Sequence, residues 1–275
     1  MKKSKVLFIS QEINPYLEET SISDISRKLP QGIQESGKEI RTFMPRFGCI
    51  NERRNQLHEV IRLSGMNLII DDSDHPLIIK VASIQSARMQ VYFIDNEEYF
   101  QRKHIFRDAR KKFFRDNEDR MIFFCRGVLE TVKKLGWNPD IIHCHGWMTS
   151  LVPLYIKTAY SDDPIFKDSK VVYSVYDNDI EENLEGGLTK KVLMDGIKSS
   201  DLVHYKDSTN IGLNIAAMHW ADAVVKASEN LPKEIIRHMN KLDKPVLDHF
   251  SSENFVPAYS ELYDDLLQGE TILAN

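Results

Sequence analysis

The sequence predicts a three-layer α/β fold, in which a mainly parallel β-sheet lies between two layers of helices. The runs at 5–10 and 140–142 have the apolar centres of buried strands. Segments with helical periodicity follow such runs along the chain. This alternation of strand and helix is typical of doubly wound sheets. At 275 residues, the chain is long enough for one large domain or two small ones.

The first unit of the chain is a strand, a helix and a second strand. The strand at 5–10 is followed by a polar loop, and Ser21 with Asp24 three residues later has the spacing of a capping box. Gly37 is placed to end the helix in a left-handed conformation. The next strand is predicted at 39–44, where good strand formers follow one another.

The middle of the chain has a different pattern. Short apolar or alternating segments between 51 and 95 are separated by turn residues, which predicts hairpins inserted into the α/β core. The stretch 99–115 is rich in basic and aromatic residues. Two interpretations stay open for it, a solvated face and a rim that contacts phosphate or sugar. Apolar residues at spacings of three and four within 119–135 predict a helix with a buried face, which ends at Gly136.

The second half continues the alternation and ends in an amphipathic helix. The remaining elements are predicted as a strand at 140–142, a helix at 149–160, a strand at 170–175, helical pieces at 190–194 and 210–219, a strand within 222–228, a helix from Pro232 to about Asn240, and a tail helix from Phe255 to Gly269. We therefore expect a main unit at 1–246 and a tail at 247–275, whose apolar stripe docks back on the main unit.

Two histidines bracket the point where the strand that begins with 140–142 is expected to stop, and Gly146 is expected to break it. His143 and His145 precede Gly146, and ligands of open α/β sheets bind beyond the carboxyl ends of the strands. The pair is therefore either a functional site at the mouth of a cleft or a structural corner. A zinc site is disfavoured, since Cys144 would point to the other face of the strand and no further ligand cluster is near. No metal and no cofactor are expected.

Composition and charge exclude several classes of function. The net charge of −5 gives no basic excess for nucleic acid. No apolar run approaches the length of a membrane span, and the run 6–9 is too short for a signal peptide. The three cysteines, odd in number and widely spaced, indicate a reducing compartment. We therefore expect a cytoplasmic protein.

Several segments resemble the glycogen and starch synthases, retaining glucosyltransferases with two Rossmann-like lobes of the GT-B type. The most specific is Pro-Asp-Ile-Ile-His-Cys-His-Gly-Trp at 139–147, which is similar to the family's Pro-Asp-Val-Val-His-Ala-His-Asp-Trp. Further similar segments are Lys5–Ser10 with Glu12 and Pro15, Asp24 with Leu29 and Pro30, 44–47, 93–96, 116–120, Ser252-Glu253 and 259–263. The resemblance covers the first lobe and the C-terminal helix of the family.

The resemblance implies a reaction and a set of site residues. The family transfers glucose from ADP-glucose to the non-reducing end of an α-1,4-glucan. His145 takes the place of the family's active-site histidine. The residues that the resemblance implies for substrate binding are Glu12, Glu18, Asp24, Trp147, Tyr176 and Asp177. For Trp147 and Tyr176, packing in the core is the alternative role.

The chain also departs from the family. Its Lys-Thr-Gly-Gly-Leu phosphate loop is here Glu-Glu-Thr-Ser-Ile at 18–22, so a carboxylate replaces an ammonium and side chains replace two glycines. The second lobe has no counterpart in the sequence. We therefore expect weak or no transfer by the isolated chain. Its expected partners are an α-glucan, a nucleotide-sugar and a second lobe from another protein or a homo-oligomer. The alternative is a non-catalytic glucan-binding or regulatory protein of glycogen metabolism.

Overall fold

The computed structural model describes residues 3–177, 180, 182–184, 186–250 and 255–273, with the side chains of the last helix as far as Gly269. The strands are β1 (Lys5–Ser10), β2 (Glu39–Pro45), β3 (His58–Glu59), β4 (Met66–Ile70), β5 (Ser73–Ile84), β6 (Met89–Asp95), β7 (Ile141–His145), β8 (Lys170–Val175), β9 (Ala223–Lys226) and β10 (Val246–Leu247). The helices are α1 (Ser21–Glu35), α2 (Glu97–Phe100), α3 (Asn117–Leu135), α4 (Val152–Lys157), α5 (Leu188–Val192), α6 (Asn210–Trp220), α7 (Lys233–Met239) and α8 (Val256–Leu273).

The predicted three-layer α/β fold is confirmed. The strands form one sheet in the order β10-β9-β8-β7-β1-β2-β6-β5-β3, with β4 paired to β5. Pairing is parallel from β10 to β6 and antiparallel among β6, β5, β4 and β3. Strand β1 lies near the centre, where its apolar run is buried on both faces. None of the described helices is long and apolar enough to cross a membrane.

The two faces of the sheet are covered by different helices. One face packs on α1 and α8, through a cluster that includes Phe8, Ile141 and Tyr263. The opposite face packs on α3, α4 and α6, through the larger cluster that contains Cys125, Cys144 and Met218. Successive residues of a strand point to opposite faces. His143 and His145 therefore lie on the face of α1 and α8, and Cys144 lies on the other.

Strand β7 runs to His145 and ends at Gly146, whose φ of +88° favours glycine, as the histidine pair and the following glycine predicted. Two other predicted details differ from the structure. The cap of α1 is Thr20, whose hydroxyl oxygen accepts from the backbone N–H of Ser23, so the capping box lies one residue before the predicted one. Helix α8 continues past Gly269.

The predicted hairpins and tail also have defined places in the fold. Strands β4, β5 and β6 are joined as antiparallel hairpins, but β6 also pairs in parallel with β2, so the 51–95 segment is continuous with the main sheet. Helix α8 buries Tyr259, Leu262 and Tyr263 on the lobe. The division of the chain into units at 1–246 and 247–275 stays a prediction. Ser252 and Glu253 lie outside the described residues.

Candidate functional site

The candidate site lies where β1, β7 and β8 end side by side. In the parallel register, Ser10 stands next to His145, and His145 stands next to Ser174. The carboxyl edge of an open α/β sheet is the edge at which ligands bind. The backbone therefore brings the two histidines of β7 to the predicted position at the carboxyl end of the strand.

The two imidazoles form a compact pair on the α1 and α8 face of the sheet. Their ring centroids are 4.0 Å apart, and both rings are fully buried. Phe8 of β1 lies beside them, 5.9 Å from the ring of His143 and 6.3 Å from that of His145. Tyr259 and Tyr263 of α8 cover His143 from above the sheet, at 5.7 and 5.8 Å. The tail helix α8 thus covers the histidine pair on this face of the sheet.

Buried hydroxyl groups fix the orientation of both rings. His143 Nδ1 is 2.6 Å from the Tyr263 hydroxyl, and its Nε2 is 2.7 Å from the hydroxyl of Ser174. His145 Nδ1 is 2.7 Å from the Tyr176 hydroxyl. Each of these hydroxyl groups is able to donate or accept, so they suit a neutral imidazole in either tautomer. The contacts join the tail helix to the edge of the sheet.

Burial keeps both imidazoles neutral. Removal from water, with repulsion from His145 as a smaller cause, places the pKa of His143 well below its ordinary value. Burial lowers the pKa of His145 to about 3. Both rings are therefore uncharged at neutral pH, and His145 is suited to a hydrogen bond rather than to an ionic contact.

His145 does not open into a cleft, so the predicted place at a cleft mouth is wrong. The ring is 0% exposed, and its buried Nε2 has no hydrogen-bond partner within the described part of the chain. Tyr176, itself only 4% exposed, lines a neighbouring cavity of about 260 Å³ together with Asp24 and Tyr259. Tyr176 therefore stands between His145 and this cavity, because its own side chain reaches both.

Glu12 and Glu18 line a second cavity beside the first loop. Its volume is about 520 Å³, and Lys103 and His104 also line it. Glu12 accepts hydrogen bonds from the Gln11 amide and from the Thr20 hydroxyl. The lining of the cavity therefore includes two carboxylates and a lysine, beside the N-terminus of α1.

The other predicted site residues are dispersed. Asp24 forms an ion pair with Lys28 one turn along α1. Trp147 is 3% exposed and packs on Phe106 at 5.0 Å, as a core residue does. Asp177 is exposed, and its carboxylate accepts from the Ser228 hydroxyl. Within the described ranges no group of three or more His, Cys, Asp or Glu residues could hold a metal ion.

The sequence did not reveal which residues cover the histidine pair or which residue holds the basic segment 99–115 in place. Tyr259 and Tyr263 belong to the apolar stripe that predicted the tail helix, but no sequence signal linked them to His143. Arg120 ends the segment 116–120 that resembles the family, but nothing in the sequence linked it to the basic segment. It is fully buried, and its guanidinium donates to the carbonyl oxygens of Tyr99 and Ile105.

We expect the substitution Tyr263→Phe to lower the free energy of unfolding by about 1–3 kcal/mol. The change leaves His143 Nδ1 without its partner in a fully buried position. Tyr259→Phe is the matched control, because the Tyr259 hydroxyl makes no hydrogen bond with the described residues and the same ring is kept. Urea unfolding curves of both variants measure the effect. Equal curves for the two would contradict a role for the Tyr263 hydroxyl.

Comparison with known proteins gives a consistent result. The family model described as the starch synthase catalytic domain matches residues 5–247. The chain is similar to the glycogen synthase of Chlorobium limicola, with 35% identity over 233 residues that are 84% of this chain and 47% of the relative. It is also similar to the glycogen synthase of Chlorobaculum tepidum, with 42% identity over 173 residues that are 62% of this chain and 36% of the relative.

A solved structure has the same fold. The catalytic domain of starch synthase IV from Arabidopsis thaliana, bound to ADP and acarbose, superposes with a TM-score of 0.72 at 17% identity. The superposition covers 90% of this chain and 52% of that one. At this identity the likeness concerns the fold alone. The chain spans about half the length of the curated relatives that it matches.

Proposed function

Because the chain belongs to the starch synthase catalytic domain family, we propose that it acts in α-glucan synthesis as the lobe that faces the glucan. The proposed reaction is the family's transfer of glucose from ADP-glucose to the non-reducing end of an α-1,4-glucan. Alone, the 275-residue chain transfers little or no glucose. Its three cysteines are free thiols, which supports a cytoplasmic setting.

The observation that carries the proposed low activity is the N-terminus of α1, which is capped by side chains of the helix itself. A free helix N-terminus is a site for phosphate, because its N–H groups have no partner within the helix. Here the hydroxyl oxygen of Thr20 accepts from Ser23 N–H, and the Ser23 hydroxyl oxygen accepts from Thr20 N–H. Glu12 and Glu18 line the adjoining cavity. A nucleotide diphosphate therefore meets two donors that are already bonded, the N–H groups of Thr20 and Ser23, and carboxylates beside them.

This arrangement opposes the chemistry that the transfer needs. The leaving diphosphate gains negative charge in the transition state, and the stabilisation of that charge is a major part of catalysis. A carboxylate at the position of a lysine turns an attraction into a repulsion. At 4 Å and an effective dielectric constant near 20, one such interaction is about 4 kcal/mol. Even a fraction of this change lowers the rate many-fold.

His145 is the proposed catalytic residue of this lobe, as a neutral hydrogen-bond donor or acceptor beside the transferred glucosyl unit. Its free Nε2 supports this role, since a buried polar atom without a partner is uncommon. We propose that movement of the Tyr176 side chain admits the substrate, because Tyr176 contacts His145 and also lines the neighbouring cavity. Asp24 and Tyr176 would then contact the glucan, and Asp177 would lie at its edge.

A non-catalytic glucan-binding or regulatory protein is the second candidate. It is favoured by the complete enclosure of His145 and by the carboxylates at the first loop. In either case the lobe would bind an α-glucan. Transfer would also need the part of the family's catalytic domain that lies outside the half of the relatives matched by these 275 residues. The two candidates differ in whether nucleotide-sugar is used.

The decisive assay measures the incorporation of radiolabelled ADP-glucose into glycogen by the pure chain. We expect incorporation near background. Glu18→Lys should strengthen ADP-glucose binding about tenfold, because it removes a repulsion and restores an attraction. Glu59→Lys is the control, since it makes the same charge change at an exposed position on β3. Isothermal titration calorimetry measures binding by all three proteins.

The outcomes separate the candidates. Robust incorporation that His145→Gln abolishes would overturn the expected inactivity and make the family's reaction this chain's own. Glycogen binding without ADP-glucose binding, even in Glu18→Lys, would favour the non-catalytic protein. Absence of glycogen binding would contradict both.

A further inference from the structure

The basic segment 99–115 has an unusual concentration of charge. It contains seven lysine and arginine residues and one carboxylate, in a chain whose net charge is −5. The segment has little regular structure beyond the end of α2 and one isolated bridge between Arg107 and Phe113. Mutual repulsion would loosen such a segment unless fixed partners held it. The structure shows which cations hold the segment in place and which do not.

Three arginines anchor the segment. Arg102 forms a two-point contact with the Asp116 carboxylate, and Arg107 forms one with Glu182. The buried Arg120 of α3 holds two carbonyl oxygens of the segment from below. Two-point guanidinium–carboxylate contacts have a fixed geometry. The segment is therefore an ordered loop with fixed contacts to the rest of the protein.

The other cations have no such structural task. Lys111, Lys112 and Arg115 are exposed, and their side chains form no ion pair with any residue that the structure describes. All three line one cavity of about 760 Å³, together with the half-buried rings of Phe113 and Phe114. The cavity has the volume of a small-molecule site. The charge left over in its lining is positive, because the carboxylate of Glu182, which also lines the cavity, is already bound by Arg107.

The backbone at Lys111 is a second, independent observation. Its φ is +63°, in the left-handed region that glycine or asparagine adopts most easily. The turn is closed by the Asp108 carboxylate, which accepts from the backbone N–H groups of Arg110 and Lys112. A non-glycine residue in this region is held against a conformational cost, and such residues cluster at ligand sites. A lysine side chain is thus presented at the cavity in a strained turn.

We infer that this cavity binds a phosphate monoester, with Lys111, Lys112 and Arg115 as its cationic contacts. Lysine and arginine are the residues that recognise phosphate oxygens. The rings of Phe113 and Phe114 offer apolar surface to the group that carries the phosphate. That group is either a sugar unit of a phosphorylated glucan or a free phosphorylated metabolite. The glucan source rests on the proposed function, whereas the phosphate site does not.

Binding of three probes to the 275-residue chain tests this inference. The probes are inorganic phosphate, a phosphorylated maltodextrin, and the same maltodextrin after phosphatase treatment. The test variant is Lys111→Gln/Lys112→Gln/Arg115→Gln. The control variant is Arg53→Gln/Arg62→Gln/Lys198→Gln, which removes the same charge at exposed positions outside the cavity. Isothermal titration calorimetry at low and high salt gives the affinities.

We expect the test variant to lose about tenfold or more in phosphate affinity and the control variant to lose little. Tighter binding of the phosphorylated maltodextrin, lost in the test variant, would support the glucan source. Equal binding of both maltodextrins, with phosphate binding still lost in the test variant, would support a free metabolite. No phosphate binding, or equal losses in both variants, would overturn the site. Binding of the dephosphorylated maltodextrin reports separately on the proposed function.

Discussion

Acidification from pH 7 to pH 5 is expected to lower the free energy of unfolding by about 4 kcal/mol through His143 and His145 together. Burial places the pKa of His143 well below its ordinary value and that of His145 at about 3. In the unfolded chain both rings titrate near pH 6.5. Below that pH the unfolded state binds more protons than the folded state. The stability is therefore complete above about pH 6.5 and is lost as the pH falls toward 3.

Urea unfolding at a series of pH values measures this loss. His143→Gln and His145→Gln should each remove about 2 kcal/mol of the pH dependence between pH 7 and 5. His58→Gln is the control, since His58 is exposed on β3. Burial raises the pKa values of carboxylates such as Asp95 and Glu118, so their contribution to stability changes with pH in the opposite direction. This contribution cancels when the variant is compared with the parent. Parallel curves for parent and His145→Gln would rule out a buried neutral imidazole.

The second large effect is expected from removal of α8. A chain that stops after Leu247 should melt about 10 °C below the full chain. Helix α8 buries Tyr259, Leu262 and Tyr263 on the lobe, and burial of each large side chain contributes about 1.5–3 kcal/mol before the entropy of ordering the helix is subtracted. The polar contacts of Lys38 with Ser260 and Asp264 are lost as well.

Differential scanning calorimetry of three chains checks this expectation. A chain that stops after Gly269 is the control, because it keeps every α8 side chain that the structure describes as packing on the lobe. It should melt close to the full chain. In the shorter chain, water reaches His143, so its pKa should rise toward the ordinary imidazole value and the acid sensitivity should weaken. An unchanged melting temperature after truncation at Leu247 would refute the docking of α8.

Much of the fold follows from local sequence. The apolar run of β1, the stripe of α3 and the strand at 170–175 need only hydrophobic periodicity, and their bounds agree with the structure within two residues. The motif at 139–147 was sufficient for the family, since several chemically specific residues occur there at fixed spacing. Local patterns carry this information because burial of one face selects strand or helix.

The environment of the β7 histidines was decided by tertiary structure. Strands β1 and β8 pair with β7 as far as His145 and bury it. The partners of His143 are 31 and 120 residues away along the chain. Whether a histidine is solvated and charged or enclosed and neutral depends on those distant groups. The sequence by itself determined the family and the edge of the sheet at which the site lies. Only the packing of α8 and Tyr176 decided that the site is closed, because the shielding of an imidazole from water is a property of its neighbours in space.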